Sequence, residues 1–391
     1  MKSKICLLLI LLSLFCACSE QKALEPVYKI TFDEKNFVDV RDVVSDLEFI
    51  LLDTIPEANI SNITDMYICN DRIYCFSNSN SGYVCVFSLD GDFLFKISHV
   101  GKAKNEWLKL SSMYVNDREN RIVLTDNYGL KILEYTLDGE YVRTVPIQLI
   151  NNRENGYHSG YYYSVTNPYM TGDRIARETD HLINICDSTS KFNNVSELID
   201  VKQNSAMIVQ ERVNRLYNGV NGLLAAPTLD PTVYKLDGLD VLPYADFEYT
   251  GNKLQFYTDE DIEEGVIKNL FMGGLKKSFY SGSIVESPQY LIRRVGYADA
   301  VDVIYDKKSG KTVLTRFDSD KLGERHLSEL FAYKTPYCYY KGFYYGKLTT
   351  DLLSFPGQYT EGHVPKELSE LKELSDKNQI NNVIVRYKIN L

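Results

Sequence analysis

Tryptophan is nearly missing from this chain, with one residue, Trp107, among 391. Histidine is almost as scarce: His99, His158, His181, His326 and His363 are all there are. No two of them stand at metal-ligand spacing and there is no HExxH, so no zinc-protease helix is encoded. A GxSxG elbow and a phosphate-cradling glycine loop are lacking too. No cofactor and no metal is therefore expected. Basic residues are outnumbered, Lys+Arg 43 against Asp+Glu 53, for a net charge of −10. That balance excludes nucleic acid as a general partner, because nucleic acid calls for a basic face. It also speaks against anionic polysaccharide or anionic lipid as ligands of the surface at large, and leaves a local basic patch open.

Long apolar runs are absent with one exception. After Lys2 and Lys4, the run 5–17 carries no charge but is too short to span a bilayer, and it has the build of a signal-peptide core. It ends in "LFCAC", a small residue followed by Cys, which resembles a bacterial lipobox. Residues 1–17 are thus expected to be a lipoprotein signal peptide. Cys18 is then the lipidated first residue of the mature chain, and 18–26 a short polar tether. Several acyl chains anchor stably where one does not. An ordinary secreted protein cut nearby is the rival reading. Export implies an oxidising compartment, yet Cys69, Cys75, Cys85, Cys186 and Cys338 show no CxxC and no metal spacing. Cys75 and Cys85 either face each other across the hairpin bracketing "NSNSG" or are buried free thiols.

What the chain does have is a repeated phrase. "FSLDGDFLFKI" (87–97) and "YTLDGEYVRTV" (135–145) each read as strand, tight turn, strand. Gly accepts the positive φ of a hairpin turn, Asp bonds its own backbone, and the flanks alternate apolar and polar. Further copies are "NICDSTSKF" (184–192), "YKLDG" (234–238) and "VIYDKKSGKTV" (303–313). Their aspartates are 48, 49, 50 and 69 residues apart. The long gap holds "TDEDIEEGVIKNLF" (258–271), with an N-capping Thr, early acids and helical apolar spacing, which predicts a helical insertion. A last hairpin, "YCYYKGFYYGKL" (337–348), turns at Lys341-Gly342 and makes a sixth unit.

A hairpin-built repeat of roughly 45–50 residues is the signature of a propeller blade. The expectation is an all-β fold: one six-bladed β-propeller over 27–391 with short helical insertions. A β-sandwich with accidentally similar hairpins is the rival. The stretches "VYKITF" (27–32) and "VIVRYKI" (383–389) are expected to pair in one blade and close the ring, which removes an open sheet edge. "HVPKELSELKEL" (363–374) and "SDKLGERHLSELF" (319–331) are expected to be helices packed on the rim, a partner-binding role being the alternative.

Four segments carry a family resemblance: "VVSDLEFILLDT", "YVCVFSLDGDFLFKISHVGKAKNEW", "DPTVYKLDGLDVLPYADFEY" and "NNVIVRYKINL". In this order along the chain they resemble the six-bladed β-propeller lipoproteins of Bacteroidota-type bacteria. "NRIVLTDNYGLKILEYTLDGEYV" also resembles an NHL-type repeat. The resemblance implies a membrane-anchored protein of the outer membrane, on its periplasmic face or the cell surface, often accompanying glycan-uptake machinery. It implies no established reaction. One departure is "GKAKNEW", where the family is richer in Gly and Pro; only Gly101 and Trp107 match there.

Two function classes remain. One is a noncatalytic binding or interaction protein for a glycan or a protein partner. The other is a glycan-active lyase or hydrolase, with carboxylates or Tyr and His converging from different blades. The aspartates of the LDG turns are accounted for by the turns, and "TDEDIEE" by a solvated helix start. One segment, 151–169, concentrates candidate ligand-binding residues: Arg153, Tyr157, His158, Tyr161, Tyr162 and Tyr163. It is expected to connect blades two and three, with Trp107 as a further member of the site. Aromatic faces beside polar groups stack sugar rings or recognise partners. The other reading is an ordinary strand with packed rings.

Overall fold

The two LDG stretches fold as antiparallel hairpins. Gly91 and Gly139 turn them at φ +97° and +84°, angles open to glycine because it has no Cβ. The computed structural model describes residues 25–146, 152–166, 183–187, 216–228, 230–258, 277–296, 301–316, 336–349, 371, 373, 377 and 382–391. Three strands lead the chain: β1 (Tyr28–Phe32), β2 (Phe37–Asp39) and β3 (Val44–Leu51). The first sheet is β4 (Asp65–Cys69), β5 (Arg72–Ser77), β6 (Tyr83–Ser88) and β7 (Phe93–Ile97). The second is β8 (Leu110–Asn116), β9 (Arg121–Asp126), β10 (Lys131–Tyr135) and β11 (Tyr141–Pro146). The third holds β12 (Asn152–His158), β13 (Tyr161–Thr166) and β14 (Ile183–Asp187). The fourth is built on β15 (Leu216–Gly219), β16 (Gly222–Ala225), β17 (Thr232–Asp237) and β18 (Asp240–Tyr249). The fifth is built on β19 (Phe279–Glu286), β20 (Tyr290–Gly296), β21 (Val301–Asp306) and β22 (Thr312–Arg316). The sixth is built on β23 (Cys338–Tyr340), β24 (Phe343–Thr349) and β25 (Asn382–Ile389).

The leading strands finish the last three sheets from outside. β1 runs parallel along β18, β2 parallel along β22, and β3 antiparallel on β25. At the centre, β4, β8, β12, β15, β19 and β23 touch neighbour to neighbour in a closed cycle. This is an all-β propeller arrangement. Among the described residues its helical content is confined to short pieces such as Glu34–Asn36, Val40–Val43 and Pro56–Ala58.

Three expectations need correction. Five complete blades are present rather than six: five sheets have four or five strands, and the third has three described strands. β14 has no described partner on its outer edge. The strand that pairs with the C-terminal β25 is β3, not the 27–32 stretch, which lies on β18 two sheets away. The hairpin at Lys341-Gly342 is β23–β24, the inner pair of its sheet, whereas the LDG hairpins are outer pairs. The closing sheet takes its outermost strand from the N-terminus, so it has no outer hairpin to repeat. Cys75 and Cys85 do lie in register, but as buried free thiols. All of the predicted insertion 258–271 except Thr258, the helix 319–331 and Cys186's side chain lie outside the described residues, as does all of 363–374 except Leu371 and Glu373, both helical.

Packing follows the period of the strands, which turns alternate residues to opposite neighbours. One such layer gathers Tyr74, Phe76, Val86, Leu124, Leu133 and Trp107 between the first two sheets. Each such buried side chain contributes roughly 1.5–3 kcal/mol. Between the fourth and fifth sheets, Arg293 is fully buried. Its guanidinium sits 5.4 and 5.1 Å from the rings of Phe247 and Tyr280 and donates to the carbonyls of Pro227, Asp230 and Pro231. Burial lowers its pKa to about 10, and the carbonyls and rings keep the charge tolerable.

The two ends of the ring differ. At one end the inner hairpins turn in a few residues and bond to one another around the cycle. Lys341 Nζ reaches Asp71 at 2.6 and 2.9 Å, and Ser159 N donates to Glu119 at 2.7 Å. Arg118 donates to the carbonyls of Gly219 and Val220 at 2.9 and 2.7 Å, and Val220 N donates to Glu286 at 2.8 Å. At the other end the described connections 52–64 and 98–109 join one sheet to the next.

Candidate functional site

The tyrosine-rich segment is a hairpin, β12–β13, rather than a connection between blades. Its strand period decides where each ring goes. Tyr162 points to the second sheet, where its hydroxyl donates to Glu134. Tyr163, one residue on, points the other way and donates to the carbonyl of Gly238 at 2.9 Å. Both rings are buried, so their place in a recognition face is corrected: they dock the third sheet on its two neighbours. Tyr157 lies opposite Tyr162 across the hairpin, with ring centroids 5.0 Å apart. Tyr157, His158 and Tyr161 remain half-buried. His158 Nδ1 is 3.6 Å from Glu119 Oε1. Arg153 lies on β12, and its side chain is outside the described residues.

Glu134 is the electrostatic centre of this junction. Arg143 grips it with two bonds of 3.0 and 2.9 Å, and Arg121 lies 3.3 Å away. The pairing with Glu134 raises Arg143 above its ordinary value, and burial raises Tyr157 and Tyr162. Two guanidiniums and a phenol satisfy this buried carboxylate. Its chemistry is that of a latch.

Trp107 is corrected as well. It is 0 % exposed, and its Nε1 donates to the carbonyl of Gly82 at 3.1 Å. It is separated from the tyrosine hairpin in packing and belongs to the layer between the first two sheets. Its role is to anchor the connection 98–109. Trp107 N donates to His99 O and Gly101 N donates to Trp107 O, each at 2.9 Å, so the connection folds back on itself as a narrow ribbon. Asp126 fixes the same ribbon from below. Its buried carboxylate accepts from Leu108 N (2.8 Å), Lys109 N (3.3 Å), Tyr128 N (3.1 Å) and Gly129 N (2.8 Å). Two neighbouring loops are thereby stapled at the long-connection end. They display Val100, Leu108, Tyr128 and Leu130 to solvent.

Sequence reasoning missed this staple and a second feature. Tyr67, Tyr114, Tyr157, Tyr217 and Tyr339 recur shortly before the inner turn of five of the six innermost strands. Tyr114 and Asn218 bond across the axis, and Tyr217 Oη accepts from Tyr339 N at 3.2 Å. The recurrence was visible in the sequence, but it registers only when strands are aligned on inner turns instead of LDG turns.

A closed cycle of radially arranged sheets, with latches between neighbours, defines a β-propeller. The chain belongs to the DUF4934 family, a domain of unknown function, over residues 26–388. Curated proteins provide no match. Among solved structures, a "Putative exported protein" of Bacteroides fragilis NCTC 9343 is similar, with TM-score 0.67 and 17% identity over 93% of this chain and 99% of that one. A DUF4221 family member from Bacteroides vulgatus is similar at TM-score 0.53 and 10% identity, over 89% of this chain and 98% of the other. At such identities the likeness concerns the fold. Among the described residues no helix is long and apolar enough to cross a membrane.

Proposed function

We propose that this protein is an exported, lipid-anchored propeller that binds a glycan or a protein partner at the end of the ring carrying the long connections. The observation that carries the reading is the difference between the two ends. Tight inner turns that bond to one another leave little to vary, whereas surface connections on a rigid scaffold are where recognition is built. The name of the Bacteroides fragilis protein agrees with export. β1, the first described strand, joins the ring on the outer edge of the fourth sheet.

Binding is favoured over catalysis because buried carboxylates among the described residues are engaged in the framework. Glu134 and Asp126 hold the junctions described above. Glu286 accepts from Tyr244 (2.6 Å), Lys307 (2.8 Å) and Val220 N (2.8 Å). The test is a glycan and partner capture screen, with turnover assayed in parallel, on soluble protein beginning at Ser19. Capture without turnover supports the reading. Cleavage of a captured glycan overturns it in favour of the glycan-active enzyme. Fatty-acid labelling tests the anchor: label is expected on the full chain and lost in Cys18→Ala, and undiminished label in that variant refutes it.

A further inference from the structure

The stapled loops of the second sheet form a patch that the overall acidity of the chain conceals. Val100, Leu108, Tyr128 and Leu130 are exposed there, Tyr128 to 71%. Around them stand Lys102, Lys104, Lys109 and Lys131, against two carboxylates that are both engaged: half-exposed Glu106 accepts from Ala103 N at 2.8 Å, and buried Asp126 accepts from the four backbone amides named above. The lysines are held close to the patch. Lys109 Nζ is 5.9 Å from the Tyr128 ring centroid, and Lys131 Nζ bonds the carbonyl of Ala103 at 3.1 Å. The carbonyl of Lys104 accepts from Thr144 at 2.6 Å, and that of Asn105 from Tyr135 at 3.1 Å. So the ribbon is braced along its length by Trp107, Asp126, Tyr135 and Thr144. In a chain of net charge −10, this is a rigid, locally cationic surface with an exposed ring.

The geometry points to this patch as the binding surface for a polyanionic glycan, one carrying sulfate or carboxylate groups on its sugar rings. This rests on the binding reading above and names its ligand class. An exposed tyrosine face packs on the apolar face of a sugar ring. Lysine ammoniums act as point charges without the fixed fork of arginine, which suits substituents of varying position. Among the described residues the patch holds no arginine, and its exposed rings, Tyr128 and His99 with Tyr141 at the edge, stand in a chain of net charge −10, a poor match to the basic groove that single-stranded nucleic acid requires.

The experiment uses soluble protein from Ser19 in affinity electrophoresis against chondroitin sulfate, dextran sulfate, polygalacturonate and neutral dextran. Dextran sulfate and polygalacturonate separate sulfate from carboxylate recognition. Retardation by at least one polyanion, weakened by added salt, and none by dextran is expected. The triple variant Lys102→Glu, Lys104→Glu, Lys109→Glu should lose roughly tenfold or more in affinity. Tyr128→Ala should weaken binding at unchanged melting temperature, since the ring is exposed. A control triple, Lys35→Glu, Lys253→Glu, Lys308→Glu, changes net charge equally at remote exposed positions. Equal loss in the control, or no retardation by any polyanion, overturns the inference. Capture of a neutral glycan or a protein that the patch variants leave intact overturns this inference alone and leaves the binding reading standing; glycan turnover overturns that reading.

Discussion

Arg143 and Glu134 form a two-bonded ion pair at 3.0 and 2.9 Å across the two outer strands of the second sheet. The same carboxylate takes the hydroxyl of Tyr162 from the third sheet. One buried acid therefore joins strands that are distant in the chain, and the three-stranded sheet depends on it.

Replacing Tyr162 by Phe removes a hydrogen bond to a buried charge, and stability should fall by about 1.5–3 kcal/mol. Tyr162→Ala adds a cavity and should cost about 3–5 kcal/mol. Tyr161→Ala, at a half-buried ring, should cost less than Tyr162→Ala. Urea unfolding measures all three. A Tyr162→Ala protein with the wild-type midpoint is incompatible with this docking.

Trp107 is the single tryptophan, so its fluorescence reports one site. Its burial against Tyr74, Phe76 and Leu133 should give blue-shifted emission in the native protein that moves to the red on unfolding. Trp107→Ala should destabilise by about 3–5 kcal/mol and make 98–109 sensitive to protease. Native emission like that of free tryptophan contradicts the anchoring role.

Alkaline pH should unfold the protein. Burial holds the phenols of Tyr74, Tyr114, Tyr162 and Tyr217 neutral to higher pH than an exposed tyrosine. The unfolded chain releases those protons from about pH 10 while the native state keeps them. Stability from these groups is thus whole below about pH 10 and declines as pH rises beyond it. Denaturant midpoints at successive pH values, with absorbance following phenolate, check this; a midpoint constant well above pH 10 argues against buried phenols.

Removing residues 383–391 deletes most of β25, which lies between β24 and β3. Val383, Ile384 and Val385 are buried, and two pairings are lost together. Several kcal/mol should go, a large share of a typical ~5–15 kcal/mol total. A truncated protein that melts like the full chain refutes closure by β25 and β3.

The hairpins were legible because their chemistry is local. Leu-Asp-Gly between alternating residues specifies strand, turn and strand without reference to anything distant, and Gly91 and Gly139 turn where expected. The repeat spacing carried that local signal to a propeller. Pairings were less legible. "VYKITF" (27–32) and "LEFILLD" (47–53) both read as strands, yet only the second, within β3, meets the C-terminus. Any exposed edge offers the same backbone groups, so the choice is made by the path of the chain round the rim.

The candidate site shows the same division. The sequence by itself determined that tyrosines cluster between 157 and 163, that the chain is acidic, and that it contains one tryptophan. It could not say which rings meet water, because a period of two sends Tyr162 and Tyr163 to opposite neighbours whose identity lies elsewhere in the chain. Only the tertiary structure decided that Trp107 is an anchor and that Asp126 staples two loops into a lysine-rimmed patch. Burial and charge neighbourhood are properties of distance in space, and in a ring of sheets that distance bears little relation to separation along the chain.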